Sequence, residues 1–427
     1  MSAYETKSME ELRDFERSLE QQYAVCKERK LKLDMSRGKP CPEQLDLSSG
    51  LLDAVNSAGG WIARDGTDAR NYGGLDGLPE TKELFAELLD VRPEEILVGG
   101  TSSLTLMHDT VARAMLHGVR GSELPWCRLP KVKFLCPSPG YDRHFAICEL
   151  FGIEMIVIDL VEGGPDMDRV EALVAEDDSI KGIWCVPKYS NPDGGTYSDE
   201  TVGRLASMKT KAADFRVFWD EAYTVHHLTD RPDPLRNMLE ACKDAGNADR
   251  VFIFSSTSKI SFSGAGVAVM AASVDNLNTI RKQLSVQTIG PDKLNQLRHV
   301  KFFQTKARVL EHMAKHADIL RPKFELILRT LEAELGGKRI ATWTKPNGGY
   351  FISLNTLDGC AKEVVRLAAE AGVTLTQAGA TFPYGHDPRD RNIRIAPSYP
   401  SLAELGRALE VLCLCVRLVS VKRLLAG

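Results

Sequence analysis

Between Ile96 and Ala271 the chain alternates short apolar runs with segments patterned for helix, and few architectures tolerate that alternation. The runs are Ile96-Leu97-Val98, Val132 to Leu135, Met155 to Ile158, Ile183 to Val186, Val217 to Trp219, Val251 to Phe254 and Val267 to Ala271. They are apolar without interruption rather than every second residue, so each predicts a strand buried above and below. Helices must then cover both sides of the sheet. The expectation is an α/β fold: a large domain with a mostly parallel sheet flanked by helices. From about residue 295 the pattern turns helix-rich, with an amphipathic stretch from Leu297 to about Leu335 broken near Pro322. A strand at Tyr350 to Leu354, a helix at Ala361 to Ala371, a strand at Ile393-Arg394-Ile395 and a last helix from Ser401 follow, predicting a smaller α+β domain.

The N-terminal end reads as a helix from Ser8 to about Lys30. Ser8 and Glu11 have capping-box spacing, and Leu12, Phe15, Leu19, Tyr23 and Cys26 form an apolar stripe. Pro79 opens a further helix with Leu84 and Leu88 inward. The expected division is an N-terminal helix and arm packing on the small domain (1–45), a large domain (46–295) and a small C-terminal domain (296–427). A chain of 427 residues exceeds one simple core, in keeping with that division.

A net charge of −4 gives no basic field for nucleic acid or an anionic membrane. The ten cysteines form no CxxC pair, and Cys413-x-Cys415 is too tight for zinc, so reduced thiols in a cytoplasmic protein without a metal are expected. The N-terminus has no apolar signal core. The apolar run Val411 to Val421 is short and contains Arg417, which predicts a packed helix and not a membrane span.

Parallel α/β sheets bind ligands beyond the carboxyl ends of their strands. Ile96-Val98 runs into Gly99-Gly100-Thr101-Ser102-Ser103 and a helix, a ready anion site. Ile183-Val186 runs into Pro187-Lys188-Tyr189-Ser190-Asn191-Pro192-Asp193-Gly194-Gly195, Val217-Trp219 into Asp220-Glu221-Ala222-Tyr223, and Val251-Phe254 into Ser255-Ser256-Thr257-Ser258-Lys259. Taken singly, these are a capped helix, a turn and two solvated strand ends. A lysine at a sheet edge among hydroxyls is nonetheless placed to lose its proton and attack a carbonyl.

In this order and spacing, the four motifs resemble the fold-type I pyridoxal-phosphate (PLP) enzymes, the aspartate aminotransferase superfamily, from Asp34 to about Tyr399. The resemblance implies PLP as cofactor, carried covalently by Lys259, with Asp220 paired to the ring nitrogen. Tyr223 and Asn191 would bond the ring oxygen, and Tyr141, in Pro137-Ser138-Pro139-Gly140-Tyr141, would stack on the ring. Gly100, Thr101, Ser102, Ser256 and Ser258 would hold the phosphate. Tyr72, in Asn71-Tyr72-Gly73-Gly74-Leu75-Asp76-Gly77-Leu78, resembles the tyrosine that reaches the neighbouring subunit's phosphate, which implies a homodimer with shared active sites. Arg394 would grip the substrate α-carboxylate with Gly38 beside it, and Asn191 and Arg37 would also bind substrate. The family's usual phosphate-pairing arginine is missing: Gly266 or Val267 stands there, leaving Lys188, Arg37 or Arg143 as substitute cations. His226 and His227 are expected to be structural.

Ser36-Arg37-Gly38-Lys39-Pro40, Val186 to Pro192 and Ser263-Gly264-Ala265-Gly266 resemble a bacterial aspartate aminotransferase subgroup related to the aminotransferase-like domain of MocR regulators. This implies amino transfer between aspartate or glutamate and a 2-oxo acid, 2-oxoglutarate or oxaloacetate. Arg37, Lys39 and Arg143 are candidates for the distal carboxylate. Alternatives are transamination of aromatic or aliphatic amino acids, another PLP reaction (racemase, lyase or decarboxylase), or a ligand-sensing module. Arg394 favours keeping the carboxylate, and the short stretch before the aminotransferase-like part is too brief for a winged-helix domain.

Overall fold

In the computed structural model, which describes residues 4–426, the apolar runs become strands of one sheet. In chain order the strands are β1 (Leu33–Asp34), β2 (Ile96–Val98), β3 (Lys133–Ser138), β4 (Glu154–Val161), β5 (Gly164–Pro165), β6 (Ile180–Cys185), β7 (Arg216–Asp220), β8 (Val251–Ser256), β9 (Ala268–Ala271), β10 (Ala341–Trp343), β11 (Ile352–Thr356), β12 (Val373–Thr374) and β13 (Asn392–Ile395). The large sheet has eight strands in the order β2-β9-β8-β7-β6-β3-β4-β5. The pairs β8–β7, β7–β6, β6–β3 and β3–β4 are parallel, whereas β9 runs against both neighbours and β5 against β4. The ends of β2, β3, β6, β7 and β8 therefore meet at one edge.

Burial on both faces accounts for the uninterrupted apolar runs. Leu135, Ile183, Val217, Trp219, Val251 and Ile253 belong to one core layer. Their chain neighbours Phe134, Trp184, Phe218, Phe252 and Phe254 belong to the opposite layer. Alternate residues thus feed two cores, as a sheet sandwiched between helices requires.

The smaller unit is an antiparallel sheet, β10-β11-β13, packed with the helix Leu402–Ala426. The N-terminal helix Met9–Glu28 begins with the Ser8–Glu11 capping box and buries Leu12, Leu19, Tyr23 and Cys26. Tyr23 Oη donates to the Leu367 carbonyl at 2.9 Å, and β1 pairs in parallel with β12. No helix among the described residues is long and apolar enough to cross a membrane.

The break expected near Pro322 is not there. The helix Lys306–Leu335 passes through Pro322, and the interruption falls at Gln304, whose φ is 61°, with Thr305 Oγ1 capping the N–H of Arg308. Proline removes one backbone bond, but Leu320, Lys323 and Phe324 are buried around it, and that packing holds the helix together. This helix is shared: Val309 and Met313 join the large core, while Leu320, Phe324, Ile327, Leu331 and Leu335 join the small one. Residues 295 and 296, at the boundary drawn from sequence, lie inside the preceding helix Lys293–Phe303.

Candidate active site

The shared strand edge gathers the singled-out side chains. Asp220 ends β7 and is 3 % exposed. Its Oδ2 lies 3.1 Å from His144 Nε2, and its Oδ1 is buried with no hydrogen-bond partner. An unpaired buried carboxylate oxygen is costly and signals a missing donor. His144 stacks on Trp184 (4.3 Å, 9°) and meets Tyr141 edge-on at 5.0 Å, so its ring is fixed from two sides.

Lys259 follows β8 in a turn, and its Nζ lies 5.0 Å from the Tyr223 ring centroid. Burial pulls its ammonium below the ordinary value; the Asp220 charge opposes that and the Arg394 charge reinforces it. The amine is therefore eased toward its neutral, nucleophilic form. Burial pushes the Tyr223 and Tyr141 hydroxyls up, leaving both protonated donors at neutral pH.

Arg394, on β13 of the small domain, reaches the same place. Its Nη1 donates to Asp142 Oδ1 at 3.1 Å and to Asn191 Oδ1 at 3.3 Å. Its Nε and Nη2 donate to Thr376 Oγ1 at 3.3 and 3.2 Å. Phe351 lies under the guanidinium, 4.9 Å from its centre. A Cβ at Gly38 would come within 2.3 Å of the Phe351 ring, so only glycine lets the arm pass over it.

Gly100, with φ at 69°, leads into the helix Ser103–His117, capped by Ser102 Oγ on the N–H of Leu104. The other first-turn N–H groups have no intrahelical acceptor. Ser256 and Ser258 face each other at 3.1 Å, and Ser258 Oγ donates to the Thr101 carbonyl at 3.2 Å. The two loops thus form one cradle of hydroxyls and free amides, suited to a phosphate. A Cβ at Gly266 would lie 2.9 Å from the Thr101 carbonyl oxygen and 3.1 Å from Ser258 Oγ, so this wall has no room for an arginine.

Lys188 is not at the cradle. It is buried over the Tyr189 ring, with Glu221 and Asp233 as its opposite charges. Arg37 and Arg143 are exposed and their side chains carry no hydrogen bond or ion pair among the described residues, while Lys39 lies over the Tyr399 ring at 3.8 Å. Tyr72 is 83 % exposed. His226 Nε2 donates to the Lys259 carbonyl at 3.3 Å, and His227 Nδ1 lies 2.9 Å from Tyr189 Oη, so both histidines brace the surroundings. The motifs did not reveal His144, Asp142, Thr376 or Phe351. His144 had a signal, three residues beyond Tyr141 on the helix Asp142–Leu150.

Beneath the lysine turn runs a layer of neutral histidines. His299 Nδ1 donates to the Asn295 carbonyl, leaving Nε2 to accept from Thr257 and Ser261 hydroxyls at 3.0 and 2.8 Å. His312 Nε2 lies 2.9 Å from the Ile260 carbonyl and 3.1 Å from His316 Nε2. Burial lowers His299 to about 4 and His316 to about 3, against an ordinary 6.5. Below pH 6.5 the unfolded chain takes up protons that these folded rings refuse, so stability falls as pH drops toward 4. Each ring contributes about 2 kcal/mol of loss between pH 6.5 and 5. His299→Gln should flatten the fall in Tm between pH 7 and 5; an unchanged slope would refute this role.

PLP fits these residues. The orphaned Asp220 oxygen lacks the donor that a protonated ring nitrogen provides, the cradle suits its phosphate, and Lys259 suits its aldehyde.

Comparison with known proteins agrees. The aspartate amino-transferase family model matches residues 7–427. A putative aminotransferase of Mycolicibacterium smegmatis is 51 % identical over 405 residues, covering 94 % of each chain. An aspartate aminotransferase of Corynebacterium glutamicum is 44 % identical over 408 residues, covering 96 % of this chain and 94 % of that protein. The crystal structure of an aspartate transaminase from Corynebacterium glutamicum superposes with a TM-score of 0.96 at 42 % identity, covering 99 % of both chains.

Proposed function

Because the chain belongs to the aspartate aminotransferase family and is a PLP-dependent aminotransferase, we propose that it moves amino groups between aspartate or glutamate and 2-oxo acids, with Lys259, Asp220, Tyr223, Asn191 and Arg394 as its working residues. The observation that carries the residue assignment is the buried Asp220 Oδ1 left without a partner while its Oδ2 is engaged by His144, at the strand edge that Lys259 also reaches. The aspartate preference is supported by the 44 % identical relative named for that activity.

When bound, PLP supplies the electron sink that stabilises charge at the substrate α-carbon. Arg394 holds the α-carboxylate in a planar fork, with Thr376 fixing the fork from behind. Asn191 spends its Oδ1 on Arg394, which leaves its amide N–H groups to donate toward the cofactor's ring oxygen. The Tyr223 hydroxyl would donate to the same oxygen. Asp220 would pair with the ring nitrogen and keep it protonated, and His144 keeps Asp220 aimed. The Lys259 amine, free once the substrate's amine has displaced it, would take the proton from the substrate α-carbon. Exposed Arg37 and Arg143 are the cations available to a distal carboxylate.

The working unit in this reading is a homodimer. Tyr72 (83 % exposed), Val286 (91 %) and Ile289 (61 %) leave an apolar surface that supports contact with a second copy, whose phosphate Tyr72 would reach. Ten free cysteines, nine of them buried, support a cytoplasmic setting. A donor screen with 2-oxoglutarate and oxaloacetate as acceptors should give aspartate and glutamate the highest kcat/KM, and light scattering should give a dimer mass. Turnover confined to aromatic or aliphatic donors would overturn the substrate assignment, and a monomer mass the dimer.

A further inference from the structure

We propose that Asp142 is an internal stand-in for the substrate carboxylate: it holds Arg394 while the site is empty, and the incoming α-carboxylate must displace it. This rests on the reading of Arg394 as the substrate grip. Asp142 Oδ1 is 3.1 Å from Arg394 Nη1, with side-chain exposures of 32 % and 9 %. Among the described residues it is the one anion bonded to that guanidinium; the other partners, Asn191 and Thr376, are neutral.

Arg394 does not need Asp142 to be aimed. Thr376 Oγ1 accepts from two of its nitrogens and is itself tied to the Ser36 carbonyl at 2.9 Å. Phe351 lies under the guanidinium and is wedged by Gly38. A guanidinium fixed in this way needs only a counter-charge when no ligand is present. Asp142 supplies it from the first turn of the helix Asp142–Leu150, where the N-terminal dipole supports a carboxylate whether or not it touches Arg394. Its partial exposure lets water receive it on release.

Substrate binding is then an exchange of one carboxylate for another. Asp142 sets a threshold that weakly held anions, such as chloride, do not pass, at the cost of some substrate affinity. Removing the charge raises the fraction of molecules with a free guanidinium, and apparent affinity rises in proportion.

The test uses the PLP-loaded enzyme and succinate, an unreactive dicarboxylate, followed by calorimetry. Asp142→Asn should tighten succinate binding about tenfold and lower the amino-donor KM by a similar factor, with kcat changed less than about twofold. Chloride should become a stronger inhibitor. Asp142→Ala should act in the same direction, and matched melting temperatures and cofactor absorbance establish that both variants are folded and loaded. Unchanged or weaker succinate binding in both variants would overturn the proposal, showing that the carboxylate orients Arg394 or plays no part. Arg394→Ala serves as the separate arm. If it binds succinate like the parent, the reading of Arg394 fails; if it loses binding while Asp142→Asn fails to tighten it, only the Asp142 proposal fails.

Discussion

Lys259→Ala should lose the covalent cofactor link and lower turnover by at least about 10⁴-fold, the upper range for a positioned acid–base group alone. Among the described residues no second amine is bonded into the site to replace it. Arg394 is a guanidinium engaged by Asn191 and Thr376, and Lys188 is buried with Glu221 and Asp233 as its opposite charges. Borohydride reduction of the parent enzyme followed by peptide mapping should place the label on Lys259. A label elsewhere, or measurable turnover by the alanine variant at the parent rate, would end the assignment of this residue.

Asp220 carries the second large effect. Its two oxygens have different duties: Oδ2 is engaged by His144, and Oδ1 waits for a donor in a buried setting. Asp220→Asn keeps the shape and removes the charge. It should lower kcat by about 10²- to 10⁴-fold, since losing one partner of a buried charged pair costs about 3–5 kcal/mol. The visible spectrum of the bound cofactor should shift as well, because its ring nitrogen would lose the carboxylate proposed to keep it protonated. A variant with normal spectrum and normal kcat would show that Asp220 has no part in the chemistry. His144→Asn should reproduce a fraction of the effect, because it acts only by orienting the carboxylate.

What could be read from the residues, and what could not, divides by the range of the contacts. The strands were legible because burial on two faces writes an uninterrupted apolar run, visible at Val251 to Phe254 without knowing its neighbours. The Ser8–Glu11 box was legible because both its bonds close within one turn. Pro322 misled because local chemistry breaks a helix there, while tertiary packing of Leu320 and Phe324 holds it. The partners of Arg394 were out of reach of spacing. Asp142 and Thr376 come from a helix start in one domain and a loop in the other, and only folding brings them to the same guanidinium. The vacant arginine position was visible at Gly266 or Val267, but the crowding at Gly266 was not: the Thr101 carbonyl occupies the space a side chain there would need.

The 30-residue rod Lys306–Leu335 has one end seated in each half of the molecule. Residue 322 cannot donate to the carbonyl of Asp318, so the rod lacks one rung where it enters the small core, beside Leu320, its first anchor there. Bending stiffness is lowest where a rung is missing. A rung missing at the margin of the smaller seat leaves the rod easiest to bend beside the half that bears Arg394, so the proline that ought to have ended the helix sets where it can give.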